Sequence, residues 1–239
     1  MDQSDWDALM DGLDEAANVD LNLEYHIVML GTSGVGKTVF MTVMFQELLS
    51  AQRGLNIKTS IDFQNSIHTN YRRICRGEIL PGSARHEEWR FVVKYGDTKL
   101  FNFKWIDYRG GTVRNVQRGD MAFAKIFDHL KESLAIFVIV DAVEYYHNPE
   151  EVHTQLAQFR KFLEVSLRNY RGIHLILILS KSDAVALRQV SRFVDWSWLK
   201  WWDKETMLKV CDEVFGHTFR DFAVNNENIK CDVIPISAY

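Results

Sequence analysis

The first thirty-six residues contain no lysine or arginine, while Asp2, Asp5, Asp7, Asp11, Asp14, Glu15 and Asp20 crowd the first twenty. An acidic start of this kind makes a solvated helix or a loose tail, or docks on a basic partner, and residues 1–23 are set apart as an N-terminal segment. Net charge over the whole chain is −4, which excludes the basic footprint of a general nucleic-acid binder. Cysteine is scarce: Cys75, Cys211 and Cys231 are odd in number and far apart, with no C-x-x-C and no histidines at metal-ligand spacing. Reduced thiols in a cytoplasmic protein are the expectation. No basic-then-apolar leader opens the chain, and the longest apolar run, Leu134 to Val140, is far too short to span a bilayer. Repeats and low-complexity linkers are also absent. With 239 residues and 47% apolar side chains, the chain is expected to bury one large core in one elaborated domain, residues 24–239.

What is present alternates between strand and helix patterns. EYHIVML (Glu24 to Leu30) reads as a buried strand, and VFMTVMFQELLS (Val39 to Ser50) as an apolar helix. Residues 51–87 are polar and irregular, with a helix expected across IDFQNSIHTNYRRIC and a turn at LPGS. EWRFVVKYGDTKLFNFKWID then gives two strands folded back at Gly96-Asp97. LAIFVIVDAV and IHLILILS are short apolar runs suited to parallel strands covered on both faces, separated by a helical stretch with a stop at Gly172. CDVIPIS closes the series as a strand that Pro235 places at an edge or terminus. The pattern predicts a doubly wound α/β sheet, mostly parallel, with one antiparallel hairpin strand at its edge.

Between the first strand and first helix stands GTSGVGKT, Gly31 to Thr38, a full match to G-x-x-x-x-G-K-[ST]. Glycines let backbone N–H groups approach phosphate oxygens closely, and the following helix offers its positive end. Gly31, Thr32, Ser33, Gly34, Val35 and Gly36 would line the phosphates, Lys37 would reach the β and γ groups, and the Thr38 hydroxyl would ligate Mg²⁺.

A phosphate loop alone does not separate GTPases from ATPases or nucleotide kinases. Asp107 ends a strand, as a metal-side aspartate should, but Tyr108 follows where many ATPases place a catalytic Glu, and no LSGGQ signature occurs. Gly110 lies three residues beyond Asp107, giving D-x-x-G, whose glycine amide can bind a γ-phosphate and swing away when it leaves. Ser180-Lys181-Ser182-Asp183 follows the apolar strand and matches [NT]-K-x-D at its Lys and Asp. Asp183 could accept from the guanine N1–H and 2-amino groups, with the stem of Lys181 covering the base. Taken alone, S-K-S-D is equally a surface loop with a helix-capping aspartate; its place after the strand, in chain order, favours the base-reading role.

The chain ends on ISAY, so the order is GTSGVGKT, DYRG, SKSD and Ser237-Ala238. This ordered set resembles the translation-factor-related (TRAFAC) class of P-loop GTPases over about residues 24–239. The resemblance implies a Ras-like G domain with Ras-like strand order, an extended switch I, GTP or GDP as ligand, Mg²⁺ as cofactor and hydrolysis of GTP to GDP as a molecular switch. By position it assigns family roles to Lys37, Thr38, Asp107, Gly110, Lys181, Asp183, Ser237 and Ala238; Ser180 departs from the usual Asn or Thr. Ser83 is the expected switch I hydroxyl for the metal, with Thr69 as the alternative inside the helix. DYRGG and the long stretch before the second strand also resemble bacterial double-GTPase-type proteins found near conflict and defence genes.

Gly111 stands where Ras-like enzymes carry the Gln that orients the attacking water. Arg109, Arg114 and Arg118 lie close by in sequence, and Arg109, inside D-x-x-G, is the best placed to act as an arginine finger in cis, beside Lys37 and Gly110 in the catalytic set. An insertion of about residues 184–230 precedes the last strand, and its Trp198, Trp201 and Trp202 fall at helical spacing, a face that could anchor a protein interface but is more often core, packing the insertion on the G domain. The resemblance implies a further helix after Tyr239, so either the acidic N-terminal segment covers that sheet face or this is a fragment whose remainder carries an output domain. Three functions follow: a GTP-hydrolysing switch with a protein effector, a GTP-bound scaffold or oligomerisation module that hardly turns over, and a P-loop ATPase or nucleotide kinase. Nothing implies direct contact with nucleic acid or membrane.

Overall fold

The computed structural model describes residues 24–49, 55–81, 87–108, 121–167, 173–182, 211–216, 218–219 and 229–236. Strand β1 (Glu24–Gly31) runs into the phosphate loop and helix α1 (Lys37–Leu49). Next come β2 (Leu55–Lys58), α2 (Ile61–Cys75) and the antiparallel pair β3 (Glu87–Tyr95) and β4 (Thr98–Asp107), turning at Gly96 with φ +53°. The chain continues through α3 (Met121–Lys131), β5 (Ser133–Asp141), α4 (Ala142–His147), α5 (Pro149–Leu167), β6 (Ile173–Ser180) and β7 (Ile229–Pro235).

The strands form one sheet in the order β2-β3-β4-β1-β5-β6-β7. Pairings β1 with β4, β1 with β5, β5 with β6 and β6 with β7 are parallel; only β2 with β3 and β3 with β4 are antiparallel. From β3 onward this is the expected Ras-like order in a doubly wound α/β sheet. β7 lies at the sheet edge and ends on Pro235, as its lone proline predicts.

Three elements depart from the sequence reading. The antiparallel strand β3 is not the rim, because β2 pairs outside it through Leu55↔Tyr95 to Lys58↔Val92. The irregular stretch after α1 is thus a short strand plus the expected helix α2, and this accounts for its length. Helix α3 was missed although Ile126 and Leu130, one turn apart, are both fully buried. The short helix α4 was read as part of the preceding strand; Asp141 caps it, its Oδ1 accepting from Val143 N at 2.8 Å and Glu144 N at 3.3 Å.

Alternation along the buried strands divides the core in two. Val28 and Leu30 face a layer built with Ile126 and Leu130 of α3, Leu156, Phe159 and Leu163 of α5, and Val214 and Phe215. Met29 faces the opposite layer, where Phe45 of α1 stacks on Phe91 at 4.4 Å and meets Phe63 and Trp105 edge-on at 5.2 and 5.4 Å. Truncating a buried Phe of this kind costs about 3–5 kcal/mol. The helix after the phosphate loop is therefore held rigidly on the sheet. α2 joins the same layer through Phe63 and Ile67, capped by Ser60, which accepts from Phe63 N at 3.3 Å. Pro149 opens α5 at the position where its missing N–H costs nothing.

Gly31, Asp107, Asp141, Ser180 and Pro235 end five parallel strands at one edge of the sheet, the edge where open α/β sheets form their ligand crevice. Among the described residues no helix is long and apolar enough to cross a membrane. All three cysteines are free, as their spacing suggests.

Candidate functional site

Gly31 ends β1 so close to β5 that a Cβ there would stand 2.8 Å from the Ile139 carbonyl oxygen and 3.1 Å from Val35 Cγ2. Glycine is thus required by strand packing as well as by any phosphate. Beyond it, Gly34 and Gly36 adopt φ of +82° and +93°, a region where side chains are strained, while Val35 is buried in the core and pins the loop from below. Phe40 N donates to Gly36 O at 2.8 Å, starting α1 at the loop's end. Lys37, only 7% exposed, reaches back across the loop to donate to the carbonyls of Gly31 at 3.1 Å and Thr32 at 2.9 Å. Burial lowers its pKa, and the Asp107 carboxylate works in the other direction.

Asp107 is fully buried at the end of β4, in register with Met29 of β1. Its carboxylate acts on the ammonium of Lys37, and Thr38 follows Lys37 in the first turn of α1. Among the described residues no three His, Cys, Asp or Glu side chains group as a metal site. One carboxylate and one hydroxyl suit a hard ion that keeps waters and phosphate oxygens as its other ligands.

The opposite side of the loop is tied to β6. Ser180 Oγ lies 2.6 Å from the Val35 carbonyl and 3.0 Å from that of Val140, linking the phosphate loop to two strand ends. Lys181 adopts φ +53° and sends its ammonium to Gly34 O at 3.1 Å and to Asp141 Oδ2 at 2.5 Å. Ser182, fully buried, donates from Oγ and from its backbone N to Ile236 O, at 2.8 and 3.2 Å. Ile236 N in turn donates to Leu179 O at 2.9 Å. The residues just before Asp183 and just before Ser237 are therefore hydrogen-bonded to each other.

Of the residues the sequence reading singled out, Gly31 to Thr38, Asp107 and Lys181 lie among the described residues, with Lys37 near Asp107 and Lys181 bonded to the Gly34 carbonyl. Ser83, Arg109, Gly110, Asp183, Ser237 and Ala238 lie outside the described residues, as do Gly111, Arg114, Arg118 and the tryptophans of the insertion. Thr69 sits exposed within α2. Two contributors were missed. Asp141 could have been found as an aspartate ending an apolar run three residues before Glu144, a capping pattern. The pair Tyr108 and His129, 21 residues apart, left no local signal.

Tyr108 OH and His129 Nδ1 are 2.6 Å apart and both groups are buried. Burial, then Lys104, holds the His129 pKa down at about 4, and burial lowers His26 as well, against the opposing Glu132. Both imidazoles are neutral in the fold, whereas the unfolded chain protonates them near 6.5. Between those values the unfolded state binds more protons, so stability rises with pH. On acidification from neutrality to pH 4, His129 alone should remove about 3 kcal/mol. The measurement is the urea midpoint of wild type against His129→Asn across that range. Parallel curves would show that His129 is not desolvated.

No family model matches the chain, and no curated protein matches it. Among solved structures, it is similar to the signal recognition particle receptor SRb–GTP/SRX complex from Chaetomium thermophilum, with TM-score 0.48 and 13% identity over 91% of this chain and 92% of that one. It is similar to the Arl6 BBS3 small GTPase from Trypanosoma brucei with bound nucleotide analogue GppNp, with TM-score 0.46 and 10% identity over 90% and 88%. A third, sup35 complexed with GDP, gives TM-score 0.45 and 14% identity over 92% of this chain but only 39% of its own. These likenesses concern the fold.

Proposed function

We propose that this chain is a Mg²⁺-dependent guanine-nucleotide-binding protein that hydrolyses GTP to GDP and acts as a switch toward a protein effector. The observation that carries the reading is the joining of the phosphate loop to the S-K-S-D segment, by Ser180 to Val35 and Lys181 to Gly34, across 145 and 147 residues of chain. A chance glycine turn and a chance surface loop have no reason to be hydrogen-bonded to one another.

In this reading, N–H groups of residues 32–38 and the Lys37 ammonium hold the phosphate chain, leaving its carbonyl partners or sharing itself between them and the phosphate oxygens. Asp183 accepts from the guanine edge, Lys181 lies along the base, and Ser237-Ala238 closes the base pocket beside it. Thr38, Asp107 and Ser83 would hold Mg²⁺, which when bound neutralises charge on the β and γ phosphates. Gly110 would offer its amide to the γ-phosphate, and Arg109 would stabilise charge developing as that group leaves.

Titration calorimetry of GTP and ATP in Mg²⁺ tests the reading. GTP should bind at least about a hundredfold more tightly, the value of one buried charge-assisted pairing. Equal affinity would sink the guanine assignment in favour of a P-loop ATPase. Gly111 favours a second reading, a GTP-bound scaffold, because it offers no side chain to orient water. Phosphate release at saturating GTP separates the two.

A further inference from the structure

Directly behind Asp107 lies a dense buried polar group that the nucleotide reading does not use. Tyr108, the next residue, is 4% exposed and places its hydroxyl 2.6 Å from Nδ1 of His129 on α3. One of the two donates to the other, the direction set by the tautomer of the His129 ring. One helical turn earlier on α3, Lys125 Nζ lies 3.0 Å from Glu88 Oε1, and Lys104 of β4 takes the other oxygen of Glu88 at 2.6 Å. In the β3–β4 ladder Glu88 stands opposite Ile106, the residue before Asp107. Helix α3 thus grips the backbone around Asp107 twice, through the residue after it and through the partner of the residue before it.

Asp107 is the last residue of its strand, where ladder hydrogen bonds end, and Tyr108 N reaches Met29 O at only 3.5 Å. A carboxylate at such an end needs outside support to hold the sub-ångström tolerance that a metal or phosphate site demands. A core filler would serve better as Phe or Leu than as a tyrosine whose buried hydroxyl must be partnered. We infer that Tyr108 and His129 are positioning residues for Asp107, fixing its carboxylate beside Lys37, with Lys125 and Glu88 as the second point of support. The inference rests on the proposed function, since the metal side of a nucleotide site is what Asp107 is held for.

The test is the ratio of GTP affinity in Mg²⁺ to that in EDTA, measured on the full chain together with thermal unfolding. Tyr108→Phe and His129→Leu should lower this ratio about fivefold, the worth of one hydrogen bond, while affinity in EDTA stays within about twofold of wild type. His129→Asn, whose amide can take the place of Nδ1 as donor or acceptor, should restore most of it. Lys125→Met, at a half-exposed site outside the buried group, should move the ratio in the same direction without disturbing the core. An unmoved ratio in Tyr108→Phe, whatever happens to its melting temperature, would show that the pair only packs. Wild type binding no guanine nucleotide would overturn both this inference and the functional reading; wild-type binding with unmoved ratios in the variants would overturn this inference alone.

Discussion

Lys37→Ala should lose tight GTP binding, with affinity falling more than about a hundredfold, because charge-assisted hydrogen bonds to phosphate contribute roughly 1.5–3 kcal/mol each and this ammonium can make two. The side chain is already desolvated and already crosses the loop to the carbonyls of Gly31 and Thr32, so little further ordering is needed for it to meet phosphate. Folding should survive the change. The removal leaves the carbonyls of Gly31 and Thr32 to be rehydrated and the buried Asp107 carboxylate without its nearby cation, so the fold should be weakened though not lost. Calorimetry with GTP, beside a melting curve to confirm the fold, checks the prediction. Near wild-type affinity in a folded variant would remove the basis for a phosphate site.

The second large effect concerns the base. Asp183→Asn should weaken GTP by about 2–3 kcal/mol, on the order of a hundredfold, because an acceptor facing the guanine 2-amino group becomes a donor. Xanthine carries an oxygen where guanine carries that amino group, so the same variant should prefer xanthosine triphosphate. Ser182 and Ile236, the residues just before Asp183 and Ser237, are hydrogen-bonded to each other. Competition between the two triphosphates on one variant protein is the measurement. A variant that still prefers GTP would reduce S-K-S-D to a loop.

How far the sequence spoke for itself depended on the range of the interactions. Gly31 to Thr38 was legible because every requirement of that loop is met within eight residues, from the left-handed glycines to the lysine that folds back on the loop. The runs at β5 and β6 were legible because burial on both faces writes itself as unbroken apolar sequence, and the β3–β4 turn because Gly96 must take positive φ. β2 was not. Asn56 and Lys58 interrupt its apolar residues, and what makes it a strand is pairing with β3, more than thirty residues away. Ser180 was noticed only as a departure from Asn or Thr; that its hydroxyl bridges Val35 and Val140 depends on contacts from two other elements. Helix α3 is the one omission that periodicity could have supplied, since Ile126 and Leu130 are spaced as a helix requires.

The ties from Ser180 and Lys181 to the carbonyls of Val35 and Gly34 also bear on time. Each fixed carbonyl sets its peptide plane, and so the direction of the next N–H, with no help from outside the chain. A nucleotide meeting a loop tied in this way should have fewer loop shapes to search. Capture should therefore proceed at an encounter-governed rate, on the order of 10⁶–10⁷ M⁻¹s⁻¹, and substitutions that weaken binding should act by shortening the residence of the bound molecule. If the proposed function holds, the residence time of the nucleotide, and not its capture, is then the quantity that substitutions at Ser180 and Lys181 should change.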